Sequence, residues 1–240
     1  MNTRDQSICL WLVPFFGALF LVGFRACPQF FLSMSPTMTA EQVATFYRDN
    51  LGAIRTSMIL LNVIGIGFLP FFMVIVAQMM RMATPSRAFA YSYLSAAASG
   101  GTLFALANLA WLNAAARPER DPQLTMLLND LGWLSLVAPV GFIIAQNLCL
   151  ALSIYMDARP KPVFPHWVGH FNVVTALLMG PGAFAIVHKS GPLAWNGWLS
   201  LWVRMATFAV YVAVMFLVAR SAIKEQTVEE SFSVPPGVVA

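Results

Sequence analysis

The stretch ICLWLVPFFGALFLVGF, Ile8 to Phe24, runs without a charged or amide side chain, and LAWNGWLSLWVRMATFAVYVAVMFLVA, Leu193 to Ala219, carries a single charge, Arg204. Such segments decide the fold class. A helix crossing a ~30 Å hydrocarbon layer needs about 20 mainly apolar residues, because the bilayer offers no water to free backbone groups. Four more stretches qualify: Ile54–Met80, Ala88–Ala115, Leu124–Tyr155 and Trp167–Val187. The chain therefore reads as an all-α, polytopic transmembrane helical bundle of about six spans. Composition agrees, with 59% of the 240 residues hydrophobic and 10% charged, against roughly 25% charged in soluble domains.

The first stretch has an alternative reading as a signal peptide, with Arg4 as its basic region and Ile8–Gly23 as its apolar core. Phe24-Arg25-Ala26-Cys27-Pro28 offers no small-x-small cleavage site, so the stretch is read as the first helix. Six spans put Arg81, Arg87, Arg159, Lys161, Arg220 and Lys224 on the side of Arg4. Arg48, Arg117, Arg120 and Lys189 fall opposite, the arginines beside Glu41, Asp49, Glu119 and Asp121. Lys and Arg in short loops mark the cytoplasmic side, which predicts both termini in the cytoplasm. The net charge of +4 follows from this topology and calls for no nucleic acid. Cys9, Cys27 and Cys149 are odd in number, and two fall in the inner half of the membrane, so they imply packing and no disulfide framework.

Residues 1–220 form the membrane domain. Its longest connection, 25–53, contains Thr39-Ala40-Glu41-Gln42, a capping-box pattern that starts a short amphipathic helix. Val43, Phe46, Tyr47 and Leu51 share one face of it, which would lie flat on the outer surface or cap the bundle. Residues 221–240 are polar, with Glu229-Glu230 and Pro235-Pro236, and read as a disordered cytoplasmic tail. In the third span, Ala97, Gly101 and Ala105 recur every four residues, a spacing that lets helices approach closely and puts this span at the bundle centre or on a self-dimer face. Pro70 precedes Gln78 as Pro139 precedes Gln146, a weak internal echo, and Gly180-Pro181-Gly182 predicts a break in the fifth span. Trp133, Trp195 and Trp198 suit an outer aromatic belt and Trp167 an inner one.

Ionisable and amide groups at membrane depth are costly, so each is a candidate functional residue with a partner expected. Arg55, Asn108, Asp130 and Arg204 form a candidate outer polar cluster, with Asp130 predicted to pair with Arg204 or Arg55. An arginine left over would favour a carboxylate or phosphate ligand. Gln146, Asn147, His166, His170 and Asn172 form a candidate inner cluster. His166 and His170 have the i, i+4 spacing of some metal sites but no His-Glu-x-x-His around them, and three histidines in the chain are too few for a histidine-rich di-iron site. No catalytic set, metal site or cofactor is assigned: the sequence holds no phosphate loop, no Gly-x-Ser-x-Gly elbow and no paired carboxylates within a span.

The segments Phe164-Pro165-His166-Trp167-Val168-Gly169-His170-Phe171-Asn172 and Ser190-Gly191-Pro192-Leu193-Ala194-Trp195-Asn196-Gly197 resemble, over about a quarter of the chain, a group of uncharacterised bacterial multi-pass membrane proteins with six helices. The resemblance implies the same bundle in a bacterial cytoplasmic (inner) membrane and carries no activity. The function expected is binding or transporting a small amphipathic molecule or lipid. An accessory or scaffold subunit of a membrane complex is the alternative and a membrane-embedded enzyme a third reading. Partners expected are membrane lipids, a small amphipathic or anionic ligand, and a membrane protein or second copy of the chain.

Overall fold

Asn2 opens the first helix by accepting the Arg4 amide on its side-chain oxygen at 3.0 Å. In the computed structural model, which describes residues 2–233, that helix, α1, runs Thr3–Ala26 and passes through Pro14 without ending. Its 24 residues extend about 36 Å at 1.5 Å each, enough to cross a bilayer. A six-residue helix α2, Pro28–Ser33, turns the chain and buries Phe30 and Phe31. The capping box then forms as its sequence requires: Thr39 Oγ1 accepts from Gln42 N at 3.3 Å and Gln42 Oε1 from Thr39 N at 2.8 Å. It starts α3, Ala40–Asp49, whose Val43 and Tyr47 are buried, so this helix caps the bundle against the helix Pro122–Val137.

The second span is two helices, α4 (Leu51–Gly65) and α5 (Leu69–Met79), joined by a 3₁₀ turn at Ile66–Phe68 just before Pro70. The third is one helix, α6, Ala88–Ala116. The fourth breaks at Pro139 into α7 (Pro122–Val137) and α8 (Gly141–Tyr155). The fifth, α9 (His166–Met179), passes into a 3₁₀ segment at Gly180–Ile186, where Pro181 cannot donate to the α-helical ladder. The sixth starts with a π-helical turn, Trp198–Val203, and continues as α10, Arg204–Ser233. Among the described residues there is no strand.

Five segments are both long and apolar enough to cross a membrane: Thr3–Ala26, Leu51–Met79, Pro122–Tyr155, His166–Ile186 and Trp198–Phe232. The protein is therefore a membrane-embedded helical bundle. Helix α6 has the length at 29 residues, and its serines, glycines and asparagines dilute its apolarity. It packs against α4, α5, α7 and α8, the central place its small residues predicted. The tight approach falls one residue from the predicted stripe: a Cβ on Gly100 would lie 3.0 Å from the Phe142 ring, whereas one on Gly101 would meet nothing within 4 Å.

Both described ends lie on one face of the bundle. Gln6 in α1 bonds Gln226 in α10 at 3.1 Å, and the 80–87 and 156–165 connections meet there through Ala158 N to Ala83 O at 3.2 Å. This face is called the terminal face below. The disordered tail predicted from residue 221 is corrected as far as Ser233: α10 continues, because its polar residues find partners on the neighbouring loops. Glu229 takes Arg81 at 2.8 Å and Arg159 at 3.1 Å, and Glu225 takes Lys161 at 3.2 Å. Residues 234–240 lie outside the described residues.

Candidate functional site

The predicted outer ion-pair cluster is not formed. Arg55, in α4, donates Nε and Nη2 to the carbonyl of Ala115 at 3.0 and 2.8 Å and Nη2 to that of Ala116 at 3.1 Å. Arg204 donates Nη1 to the carbonyl of Val137. Each arginine thus sits on the C-terminal end of another helix, α6 or α7, where the last carbonyls lack intrahelical donors and the helix dipole is negative. Asp130 accepts instead from Asn129 Nδ2 at 3.2 Å, and Lys189 is the cation whose charge acts on it. Among the described residues neither arginine pairs with it. Asn108 is fully buried and donates Nδ2 to Phe104 O at 2.8 Å, one turn back on its own helix.

What fills the half of the bundle away from the terminal face is aromatic. Phe30 stacks on Trp133 at 5.4 Å between ring centroids, Trp133 stacks on Trp195 at 6.5 Å, and Trp111 meets both Phe30 and Trp133 edge-on at 5.2 Å. Trp133 and Trp195 are buried, which corrects their assignment to a lipid-facing belt, while Trp198 and Trp167 are exposed. The cause is local: α7 turns Thr125, Asn129, Gly132 and Trp133 inward, and Gly132 lets the Trp111 indole lie against the α7 backbone, where a Cβ would be 2.2 Å from Nε1.

The inner candidates divide. His166 and His170 are exposed and flank Tyr155, the first stacked at 6.5 Å and the second edge-on at 5.4 Å, with His170 Nδ1 3.0 Å from the His166 carbonyl. Among the described residues no group of three His, Cys, Asp or Glu side chains comes together. Gln146, Asn147 and Asn172 are buried in the bundle. Gln146 faces a pair the sequence reading missed, Tyr93 and Tyr211, whose hydroxyls are 2.7 Å apart. Asn172 donates Nδ2 to Val168 O at 2.8 Å and lies 3.8 Å from Met215 Sδ, one turn beyond Tyr211 on α10. Asn147 donates Nδ2 to Ile143 O at 2.7 Å. The amide oxygens Asn147 Oδ1 and Asn172 Oδ1 have no hydrogen-bond partner among the described residues, and Gln146 Nε2 has only the tyrosine hydroxyls it faces. Two tyrosines in apolar runs on α6 and α10 were the available signal, since a buried phenol in lipid needs a polar partner.

Two further polar joints were not anticipated. Gln78 Nε2 donates to Gln6 Oε1 at 2.6 Å and Gln226 Oε1 at 3.0 Å, tying α5, α1 and α10 at the terminal face. Ser200, buried in the π-helical turn, donates towards Pro181 O at 3.3 Å and Leu193 O at 3.0 Å, and so covers a carbonyl in the 3₁₀ segment after α9.

Comparison with protein-family models, with curated proteins and with solved structures found no match. Among the described residues the site holds hydrogen-bonding groups without a charged pair, set in an apolar core between interrupted helices, which suits recognition of a polar group on an otherwise apolar molecule.

Proposed function

We propose that this protein is a bacterial inner-membrane bundle, both termini in the cytoplasm, that binds and moves a small amphipathic molecule or lipid. One observation carries the reading: the amide oxygens of Asn147 and Asn172 are buried without a hydrogen-bond partner among the described residues, in a bundle whose second and fourth spans are interrupted and whose fifth passes into a 3₁₀ segment. A buried polar atom without a partner costs about 1–3 kcal/mol, so its retention needs a reason. A ligand that supplies the missing partners in an alternative packing is such a reason. Interrupted helices provide the moving parts in transporters of known mechanism, where irregular backbone is kept at membrane depth within protein. The orientation rests on Arg81, Arg87, Arg159, Lys161, Arg220 and Lys224 on the terminal face.

The test is native mass spectrometry of the full chain in mild detergent. The reading expects a stoichiometric small amphipathic molecule, lost in Asn172→Leu and Asn147→Leu variants that melt as the parent does. A stoichiometric second protein without such a molecule would favour the accessory-subunit reading. That reading has its own support in α6, whose outward face carries the exposed small residues Ser95, Ala98, Ser99 and Thr102, a surface on which another helix could pack closely.

A further inference from the structure

Where α1 and α10 meet at the terminal face, Leu10 and Ile223 form the buried floor of a notch of about 210 Å³, walled by Ser7, Trp11, Arg220 and Lys224. Arg220 and Lys224 are one helical turn apart on α10 and exposed, and among the described residues neither has an acid within 4 Å. Arg81, Arg159 and Lys161 on the same face instead hold Glu229 or Glu225, whereas Arg4 and Arg87 are not in an ion pair among the described residues. Arg220 lies over the Trp11 ring, 5.5 Å from its centroid, which fixes the guanidinium at the mouth of the notch. Trp11 itself is 55% exposed. Two cations without an acid and an exposed indole above an apolar floor match a phosphate joined to acyl chains.

We propose that this notch binds the headgroup of an anionic glycerophospholipid, with the phosphate between Arg220 and Lys224 and an acyl chain along Trp11. The notch is too small for a whole lipid, so the acyl chains stay in the membrane. Phosphates attract basic groups at the membrane surface, and basic pockets between helices are suited to anionic headgroups. This site lies at the edge of the bundle and does not depend on the core amides being a cargo site.

The experiment titrates phosphatidylglycerol and, separately, phosphatidylcholine onto the delipidated full chain in detergent and counts bound lipid by native mass spectrometry. Phosphatidylglycerol is expected to bind more tightly, and Arg220→Gln with Lys224→Gln to weaken it by about thirty-fold, from the usual worth of two basic groups at a membrane surface. Arg25→Gln, on the opposite face, is expected to leave it unchanged, as are the Asn147 and Asn172 variants, so failure here and failure of the core reading are separable. Lys224→Gln alone, at an exposed position, is expected to give a roughly five-fold loss and serves if the double variant does not fold. Equal binding of the two lipids, unchanged binding in the variants, or displacement of the lipid by inorganic phosphate alone would each overturn the proposal.

Discussion

Arg204, at the start of α10, places Nη1 on the carbonyl of Val137, the last residue of α7. The fourth span breaks around Pro139 and α7 ends at Val137, so this carbonyl has no helical donor, and a cation from the sixth span takes that place. Arg204→Leu is expected to destabilise the protein by about 1.5–3 kcal/mol, the worth of a hydrogen bond to a charged group. Gly182 presses on the same point: its Cβ would lie 2.7 Å from Val137 O, so Gly182→Ala should cost about 1–3 kcal/mol by overpacking. Unfolding midpoints in detergent read both. A parent-like midpoint for Arg204→Leu, together with loss of a bound anion, would mean that the guanidinium serves a ligand instead of the helix end.

The aromatic packing makes a second prediction. Gly132 approaches Trp111 more closely than any side chain permits, with 2.2 Å from a Cβ to Nε1. Gly132→Ala is therefore expected to push the indole out of its place among Phe30, Phe31 and Trp133. The outcome is a stability loss of about 1–3 kcal/mol and a red shift of tryptophan emission as the ring gains polar surroundings. Unchanged emission would show that the α7 backbone absorbs the methyl group by itself.

These two sites mark the limit of what the sequence disclosed. Spans were legible because apolar length is one-dimensional information, and the break at Gly180–Gly182 because proline deletes a donor; the breaks at Pro70 and Pro139 were not predicted, and α1 runs on through Pro14. The capping box at Thr39 was legible for the same local reason. Partnerships were not. Depth along a helix does not fix which way a side chain points, so Asp130, Arg55 and Arg204 share a leaflet yet do not meet. The arginines were drawn to helix ends whose carbonyls, unlike side chains, leave no mark in a sequence. The end of α10 was misread for a related reason: Glu225 and Glu229 look solvated until Lys161, Arg81 and Arg159 are brought opposite them.

Glu229, beyond the apolar run that ends at Ala219, gives a pH prediction. The slight burial of its carboxyl pushes its pKa up, but hydrogen bonds and charge from Arg159 and Arg81 outweigh this and hold it below the usual carboxylate value. A depressed folded-state pKa stabilises the protein above the unfolded value and loses that contribution as pH falls through the folded one. Glu229→Gln is thus expected to melt below the parent at pH 7, and the gap should close as the pH falls below about 4. A gap that persists in acid would mean that Glu229 acts through packing and not through its charge. The effect should be small and should shrink with added salt, since the side chain is 45% exposed.

The glutamine joint at the terminal face supplies the last test. Gln78 donates to both Gln6 and Gln226 and accepts from Arg81 through Oε1, so one carboxamide links the first, second and sixth spans. Gln78→Leu keeps the bulk and removes all three bonds. It is expected to cost about 2–3 kcal/mol, because donors and acceptors left behind are buried, and to loosen the first turn of α1. Hydrogen exchange at residues 3–8 would then quicken more than exchange in α6, which the joint does not touch. Gln78→Glu sharpens the case: the carboxylate keeps the bond from Arg81 but turns a donor into a charge facing the Gln6 and Gln226 oxygens. That variant should be less stable than Gln78→Leu at neutral pH and recover on acidification as the carboxyl regains a proton. Equal exchange at residues 3–8 in all three proteins would mean that apolar packing of Leu10 and Val13, and not the amides, holds the first helix in place.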